Sequence, residues 1–351
     1  RLKDLEDKGV TSTSAGNEQL HKTVKEFYQE AEEGTPLWIM AFPNTVTMAK
    51  LVDVTEATAK KLLEAAKGNI KGLLVVHQPA SGYSATVEDG LDADVWAALT
   101  NAQALANNQV TKHAPLFVIL EGREFSGLGT ALKDLKLRSD NRVGIVIGDT
   151  AASTKGAAVG LVGGRIAQMP VQRHIGRVKD GAIKSPAIYL AANPAELGTP
   201  EDINERGYIT FRTFVGKAGY FIADDHLATA PADDYRSLAR RRTIDKAYRI
   251  AYATLIEELN DEIPVTEAGT ITPAKAKSLE GLVENAIVNQ MTASGNLGVD
   301  PTNPEDKGVR CFIDFNQNII SSGKIEAVLQ VKPYGYSKYI DVKLGFLITS
   351  N

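Results

Sequence analysis

Two glycine-containing segments have residue types that could bind a phosphate group. Residues 148–155, Gly-Asp-Thr-Ala-Ala-Ser-Thr-Lys, follow an apolar run and precede a small-residue helix, as a phosphate-binding loop would. The second glycine and the Lys-Ser/Thr pair of such a loop are missing, so a helix cap by Ser153 or Thr154 is the better interpretation. Residues 127–132, Gly-Leu-Gly-Thr-Ala-Leu, lack the third glycine of a dinucleotide loop and favour a turn. The sequence therefore predicts no cofactor.

The side chains that could ligate a metal or act as nucleophiles are scattered. Asp224, Asp225 and His226 form an acidic and histidine cluster that could hold a metal ion, although a polar turn after a strand is the favoured interpretation. The single cysteine, Cys311, lies in an apolar run without a histidine nearby, and no Gly-x-Ser-x-Gly segment occurs. We predict no metal site and no catalytic residue.

The first half of the chain alternates between apolar runs of strand length and segments of helical periodicity. Strands are predicted at residues 36–42, 72–77, 116–120 and 143–147. Helices are predicted at residues 17–32, 55–67, 92–108 and 155–167. Continuous apolar strands separated by helices are typical of a parallel sheet covered on both faces. The predicted fold class is therefore α/β, with a mainly parallel sheet and flanking helices.

The helix at 155–167 is rich in glycine. Gly156, Gly160 and Gly164 are spaced by four residues, with Gly163 beside them. Each glycine costs a helix about 1 kcal/mol relative to alanine. We therefore expect this helix to pack closely on its sheet, at distances that a side chain would prevent.

The second half changes to an α+β pattern. Two strands are predicted at 208–211 and 220–222, followed by long helices at 234–260 and 272–290. Period-two alternation then predicts strands at 325–331 and 340–348. The last strand could form an edge that pairs with another chain, although its spacing alone favours pairing within its own sheet. We expect an α/β domain over residues 1–205 and an α+β domain over residues 206–351.

The composition excludes several classes of partner. The chain has 351 residues and a formal net charge of −4, which argues against nucleic acid and anionic membrane surfaces. No stretch approaches the roughly 20 apolar residues that cross a bilayer, so we predict no direct membrane insertion. The sequence opens at Arg1 in a helix-like pattern and without an initiator Met, so we expect residues to precede it.

The long helix at 234–260 has an unusual charge distribution. Its start is basic, with Arg240, Arg241 and Arg242 in succession, and its end is acidic, with Glu257 and Glu258. This order is the reverse of what the helix macrodipole favours. On charge alone, a solvated face with intrahelical pairs is the simpler interpretation. The alternative is that the two ends meet complementary patches on neighbouring subunits, a head-to-tail contact that generates an open helical assembly.

Several segments, in this order, resemble a family of bacteriophage-type contractile tail sheath proteins. They are residues 27–39, 157–167, 173–182, 203–222 and the arginine-rich 235–247. The resemblance spans nearly the whole chain, and it implies a non-enzymatic subunit that stacks with copies of itself around an inner tube. It also implies terminal arms that add strands to a sheet shared with neighbours. In this chain the matching arm would be the C-terminal strand, with Ile340, Val342, Leu344 and Phe346 along one face.

The resemblance further implies where the subunit works and with what. Its partners would be neighbouring sheath subunits, the inner tail tube protein, and baseplate and tail terminator proteins. Its location would be a virion tail, or the bacterial cytoplasm during assembly. The α/β domain would face outward, and residues 206–351 would form the sheath assembly domain in the tube wall. Two other functions stay open from the residues alone: a Rossmann-like nucleotide-dependent enzyme and a monomeric adaptor protein.

Overall fold

The computed structural model describes residues 1–340. Its helices are α1 (Leu2–Glu6), α2 (Glu18–Glu30), α3 (Met48–Leu51), α4 (Ala59–Ala66), α5 (Ala93–Thr111), α6 (Val159–Gln168), α7 (Pro200–Glu205), α8 (Leu238–Leu255), α9 (Pro273–Ile287) and α10 (Ile319–Ser322). Its strands are β1 (Gly72–Val75), β2 (Val87–Glu88), β3 (Leu91–Asp92), β4 (Phe117–Glu121), β5 (Ser139–Asp140), β6 (Val143–Val146), β7 (Tyr189–Leu190), β8 (Asn193–Pro194), β9 (Phe211–Phe214), β10 (Lys217–Ile222), β11 (Ala228–Thr229), β12 (Val309–Ile313) and β13 (Ala327–Val331). None of these helices is long and apolar enough to cross a bilayer.

A parallel sheet of three strands, in the order β1-β4-β6, lies at the centre of the first half. Strand β4 is central and completely buried, as its continuous apolar sequence predicts. Its Val118 is opposite Leu73 of β1 and Val143 of β6. Helices α5 and α6 pack against the sheet. The predicted α/β arrangement with a parallel sheet is confirmed for this part of the chain.

The glycines of α6 allow two close contacts. A Cβ atom on Gly163 would lie 2.2 Å from Cδ1 of Leu74 in β1, which confirms the predicted close packing on the sheet. Cβ atoms on Gly160 and Gly164 would lie 2.3 and 2.2 Å from the carbonyl oxygens of Thr23 and Phe27. Both oxygens belong to α2, so α6 also packs against a second helix at backbone distance, a contact the sequence did not predict.

The strand predicted at residues 36–42 is wrong. The segment forms no strand, and Trp38, Ile39 and Met40 are exposed. The segment and β1, an edge strand of the sheet, line the same apolar cavity of about 900 Å³. A short apolar run has the same pattern whether or not its backbone is paired, because the run records only side-chain type and neither hydrogen bonding nor burial.

The second half contains a hairpin, two long helices and another hairpin. Strands β9 and β10 pair antiparallel; β10 includes the strand predicted at 220–222, whereas β9 begins at Phe211, where the strand predicted at 208–211 ends. Strand β13 lies within the strand predicted at 325–331, and it pairs with β12, which the sequence did not predict. Helix α8 contributes to two hydrophobic clusters: Leu238 joins the cluster around the parallel sheet, while Ala247 and Ile250 pack with α9. The hairpin β9–β10 also packs on the first cluster through Phe211. The domain boundary after residue 205 stays a prediction.

Candidate assembly surface

The hairpin β12–β13 belongs to no larger sheet within residues 1–340. On one face, Cys311 and Ile313 are buried and pack with residues of α9. On the other face, the cross-strand partners Phe312 and Val328 are 47% and 56% exposed. An isolated hairpin with an apolar exposed face is a surface that a further strand can extend.

The outer edge of β12 is closed by two glutamates of α9. The N–H of Cys311 donates to Glu284 at 3.0 Å, and the N–H of Ile313 donates to Glu280 at 2.9 Å. Burial raises the pKa of Glu280, but hydrogen bonds from Lys277 and Ile313 outweigh it and lower the pKa, so this acceptor stays charged. Burial and the two glutamates raise the pKa of Cys311 to about 11. A further strand cannot pair where these carboxylates already accept the N–H groups.

Within residues 1–340, the outer edge of β13 is open. In an antiparallel pair of strands, two residues opposite each other either both direct their N–H and C=O groups inward, toward the other strand, or both direct them outward, away from it. Because the N–H groups of Cys311 and Ile313 point outward, those of their partners Leu329 and Ala327 do so too. Across the described chain neither N–H has a hydrogen-bond partner. We call this edge, together with the exposed pair Phe312–Val328, the β13 surface.

The predicted C-terminal strand is described only at its first residue. Ile340 is 80% exposed, while Val342, Leu344 and Phe346 lie outside the described residues. Their place in a shared sheet therefore stays a prediction. The sequence did not predict that glutamates close the edge of β12. The available signal was the spacing of Glu280 and Glu284 by four residues, which places both on one face of α9.

Two of the predicted interface arginines are used within their own subunit. Arg241 is buried, donates to the carbonyl of Asn141 at 3.3 Å, and lies 3.9 Å from the ring centre of Tyr235. Arg242 donates to the carbonyl of Met169, just past the end of α6, at 2.7 Å. Burial lowers the pKa of Arg242 to about 10, which leaves it charged at neutral pH. These contacts favour a structural role, and an interface role for both stays a prediction.

The structure does not bring the two charged ends of α8 together. Arg240 is half-buried and Glu257 is exposed, and they are about 25 Å apart along the helix axis. Glu258 binds Lys275 of α9 at 2.9 Å. An interface role for Arg240, Glu257 and Glu258 stays a prediction as well.

A carboxylate explains how α8 tolerates a basic start. Asp225 is completely buried and accepts the N–H of Ala239 at 2.9 Å and the hydroxyl of Ser237 at 2.9 Å. A negative charge at this position complements the positive end of the helix macrodipole. The favourable charge thus comes from the preceding turn and not from the helix itself.

The neighbouring residue, Asp224, binds one lysine and two histidine side chains. Its oxygens lie 2.6 and 2.7 Å from Nζ of Lys338, 3.0 Å from His174 and 3.3 Å from His226. Burial lowers the pKa of His174, but Asp224 and Asp225 outweigh it and raise the pKa to about 10. Ligand atoms of His174, Asp224 and Asp225 lie within 4.8 Å of one another, as in a metal site. The Lys338 ammonium takes the place beside Asp224 that a cation would have.

The carboxyl edge of the parallel sheet is where doubly wound proteins bind ligands. At this edge Glu121, which ends β4, is completely buried, and burial raises its pKa. It accepts the N–H of His77 at 2.9 Å and the N–H of Ala157, just before α6, at 3.3 Å. The side chain of Gln19 in α2 donates to it at 2.9 Å. A carboxylate of the protein therefore fills the position that a phosphate would take near a helix N-terminus.

The loop at 148–155 binds α2 and does not cap α6. Lys22 of α2 contacts Asp149 at 2.5 Å, and Thr154 donates a hydrogen bond to Asp149. The predicted cap by Ser153 or Thr154 is wrong, because α6 begins only at Val159. The positive φ of 57° at Ser153 turns the chain before a helix can start. Residues 127–132 form a turn with a short 3₁₀ helix, as predicted.

The fold assembled from these elements is that of contractile sheath proteins. The chain aligns over 96% of its length with a protein of the anti-feeding prophage baseplate, with a TM-score of 0.58, 13% identity and 83% of that chain covered. It aligns over 95% with the helical sheath of the same prophage in the contracted state, with a TM-score of 0.58, 12% identity and 83% of that chain covered. It aligns over 71% of its length with the contracted sheath complex of PVC, an extracellular contractile injection system, with a TM-score of 0.50, 14% identity and 68% of that chain covered.

The family follows from the sequence. The DUF2586 N-terminal domain matches residues 1–226, and the DUF2586 C-terminal domain matches residues 234–351. The chain belongs to this family. No curated protein matches it. The resemblance to tail sheath proteins is thus confirmed by the fold.

Proposed function

We propose that the chain is a structural subunit of a contractile sheath, which polymerises with copies of itself around an inner tube and contracts to drive that tube through a membrane. The observation that carries the proposal is the open edge of β13, at Ala327 and Leu329, beside the closed edge of β12. The shared fold with sheath proteins over 95–96% of the chain supports it. The energy for contraction would be stored in packing and in strand pairing between subunits.

Strand addition is the contact that this edge favours. An incoming strand would bond to the outward N–H and C=O groups of Ala327 and Leu329, and its apolar side chains would cover Phe312 and Val328. The C-terminal segment of a neighbouring subunit has the required alternation, with Ile340, Val342, Leu344 and Phe346 on one face. Backbone pairing would supply affinity, and the apolar face would set the register.

The proposed partners follow from the same role. They are neighbouring sheath subunits, an inner tail tube protein, and baseplate and terminator proteins at the ends. The place of work would be a virion or virion-like tail, with assembly in the bacterial cytoplasm. Exposed charges such as Glu257 at the end of α8 would contribute to contacts between subunits, together with the half-buried Arg240.

A non-enzymatic role is supported by the filled carboxyl edge of the sheet. A nucleotide would have to displace Glu121 from the N–H of Ala157 and separate Lys22 from Asp149. Breaking the Lys22–Asp149 ion pair is costly because it leaves Asp149 buried with an unpaired charge. We expect no shift of the thermal unfolding midpoint with ATP or NAD at millimolar concentration. A clear rise would favour the nucleotide-dependent enzyme.

The decisive experiment is electron microscopy of the full chain and its edge variants. Ala327→Pro removes an outward N–H without disturbing the β12–β13 pairing, and we expect it to abolish tubes. Ala327→Thr keeps the N–H and is the matched control, which should still assemble. Deletion of residues 341–351 should also leave a folded monomer without tubes. A wild-type chain that stays monomeric at high concentration would favour the adaptor, and normal tubes from Ala327→Pro would contradict strand addition at β13.

A further inference from the structure

The chain after β13 crosses back to the first half of the molecule. The carbonyl of Lys332 accepts the N–H of Gly298 at 2.8 Å, which keeps the start of this segment beside the hydrophobic cluster that α8 forms with α9. Tyr336 then donates from its hydroxyl to the carbonyl of Gln172 at 2.5 Å. Residues 332–338 therefore form a strap, with contacts on both halves of the subunit.

The strap ends in a buried acidic cradle, which is formed by Asp224 and Asp225 with the histidines His174 and His226. Lys338 binds both oxygens of Asp224, at 2.6 and 2.7 Å, and its own side chain is only 24% exposed. Asp224 is almost fully buried and is held from the other sides by His174 and His226. An ion pair that is buried and bonded through two oxygens is held much more firmly than a pair at the surface.

The cradle is continuous with the start of α8. Asp225 follows Asp224 directly and accepts the N–H of Ala239 and the hydroxyl of Ser237. His174 bridges the two carboxylates, at 3.0 Å from Asp224 and 3.2 Å from Asp225. A displacement of Lys338 is therefore opposed by groups that also fix the N-terminus of α8.

We propose that Lys338 is an anchor that fixes the C-terminal segment to its own subunit, so that residues 339–351 leave from one point beside the start of α8. The role of residues 339–351 in a neighbour's sheet rests on the proposed function, whereas the anchor itself does not. In an assembled sheath, the neighbour that binds this segment would pull on Asp224 and, through the adjacent cap, on α8. The anchor would thus transmit load between subunits to α8 and, through the contact of His174 with Asp224, into the α/β half.

Hydrogen exchange of the unassembled full chain tests the anchor directly. Lys338→Met keeps most of the side-chain volume and removes the charge. We expect amide exchange at Gly298 and Lys332, whose N–H groups are hydrogen-bonded at the start of the strap, to become about tenfold faster or more, because the strap then opens locally. Lys324→Met, at an exposed lysine paired with Glu326, is the matched control and should leave those amides unchanged. Unchanged exchange in Lys338→Met would overturn the proposal.

A double variant separates the anchor from general destabilisation. If Lys338 acts through Asp224, then Asp224→Asn should accelerate the same amides, and adding Lys338→Met to it should have no further effect. Independent, multiplying effects of the two changes would contradict the anchor.

The assembled state provides the second test. In wild-type tubes viewed by electron cryomicroscopy, we expect Lys338 to remain on Asp224 of its own chain while the residues after it reach a neighbour. Lys338 bound to a neighbour's Asp224, or detached, would overturn the anchor. A wild type that forms no tubes would contradict the proposed function, and the exchange measurements would still decide the anchor.

Discussion

Arg142 and Asp245 form a buried ion pair through two bonds, with Nη1 and Nη2 of the arginine 2.8 and 3.0 Å from the two carboxylate oxygens. Arg142 precedes β6, and Asp245 lies in the middle of α8. One turn further along α8, Arg249 donates to the carbonyls of Gly68 and Pro115. Polar bonds thus hold the long helix along the amino-terminal edge of the parallel sheet.

Removing one member of this pair should be strongly destabilising. We expect Arg142→Met to lower the free energy of unfolding by about 3–5 kcal/mol, because it leaves Asp245 buried with a weaker partner, Arg241 at 3.7 Å. The double variant Arg142→Met/Asp245→Leu should lose less than the sum of the two single changes. Urea denaturation of the four proteins measures this, and additive losses would contradict a direct pair.

The contact of α6 with α2 gives a second prediction. A Cβ on Gly164 would lie 2.2 Å from the carbonyl oxygen of Phe27, so Gly164→Ala must push the two helices apart. We expect a net loss of about 1–3 kcal/mol in the free energy of unfolding. Gly281 in α9 has nothing within 4 Å of its Cβ position and is the matched control. Gly281→Ala should stabilise by about 0.5–1 kcal/mol, and equal effects at both sites would disprove the proposed helix contact.

The extent to which the sequence predicts this fold depends on what each pattern records. Helix α9 starts at the predicted Thr272 and Pro273 because the cap and the fixed φ of proline act locally. Strands β4 and β6 are predicted because burial on both faces leaves a continuous apolar run, and β1 is predicted from a similar run although alternate residues of it are only partly buried. Residues 36–42 have the same run without a paired strand, since the cavity beside β1 depends on tertiary structure alone.

The candidate site was predictable only in outline. Alternation identified β13 as a strand, but whether its edge is free depends on Glu280 and Glu284 from another element. The sequence predicts Arg241 and Arg242 as surface charges, because it does not show that backbone carbonyls of other elements lie within hydrogen-bonding distance of them. Long-range pairs such as Lys338 with Asp224 leave no periodic signal. Local patterns therefore reveal elements, while the partners of charged groups come only from the fold.

The pH dependence of stability should report on His174. Asp224 and Asp225 raise the pKa of its imidazole to about 10, although the N–H of Gly176, 3.0 Å from Nδ1, opposes protonation. A folded-state pKa above the unfolded value of about 6.5 gives stabilisation that is fully present below pH 6.5 and declines as pH rises toward 10. The stability difference between wild type and His174→Gln should therefore shrink between pH 6 and 9. A difference independent of pH in chemical denaturation would show that the ring stays neutral.

The closed edge of β12 leads to a prediction about faithful assembly. Glu284 accepts the N–H of Cys311, so Glu284→Ala should free that N–H and give the hairpin a second edge for pairing. Since strands could then add on both sides, we expect irregular aggregates that bind thioflavin T alongside or in place of uniform tubes. Glu56→Ala, at an exposed glutamate shortly before α4, removes the same charge without opening an edge. Uniform tubes from Glu284→Ala, at the same yield as from Glu56→Ala, would show that this carboxylate does not protect the strand edge.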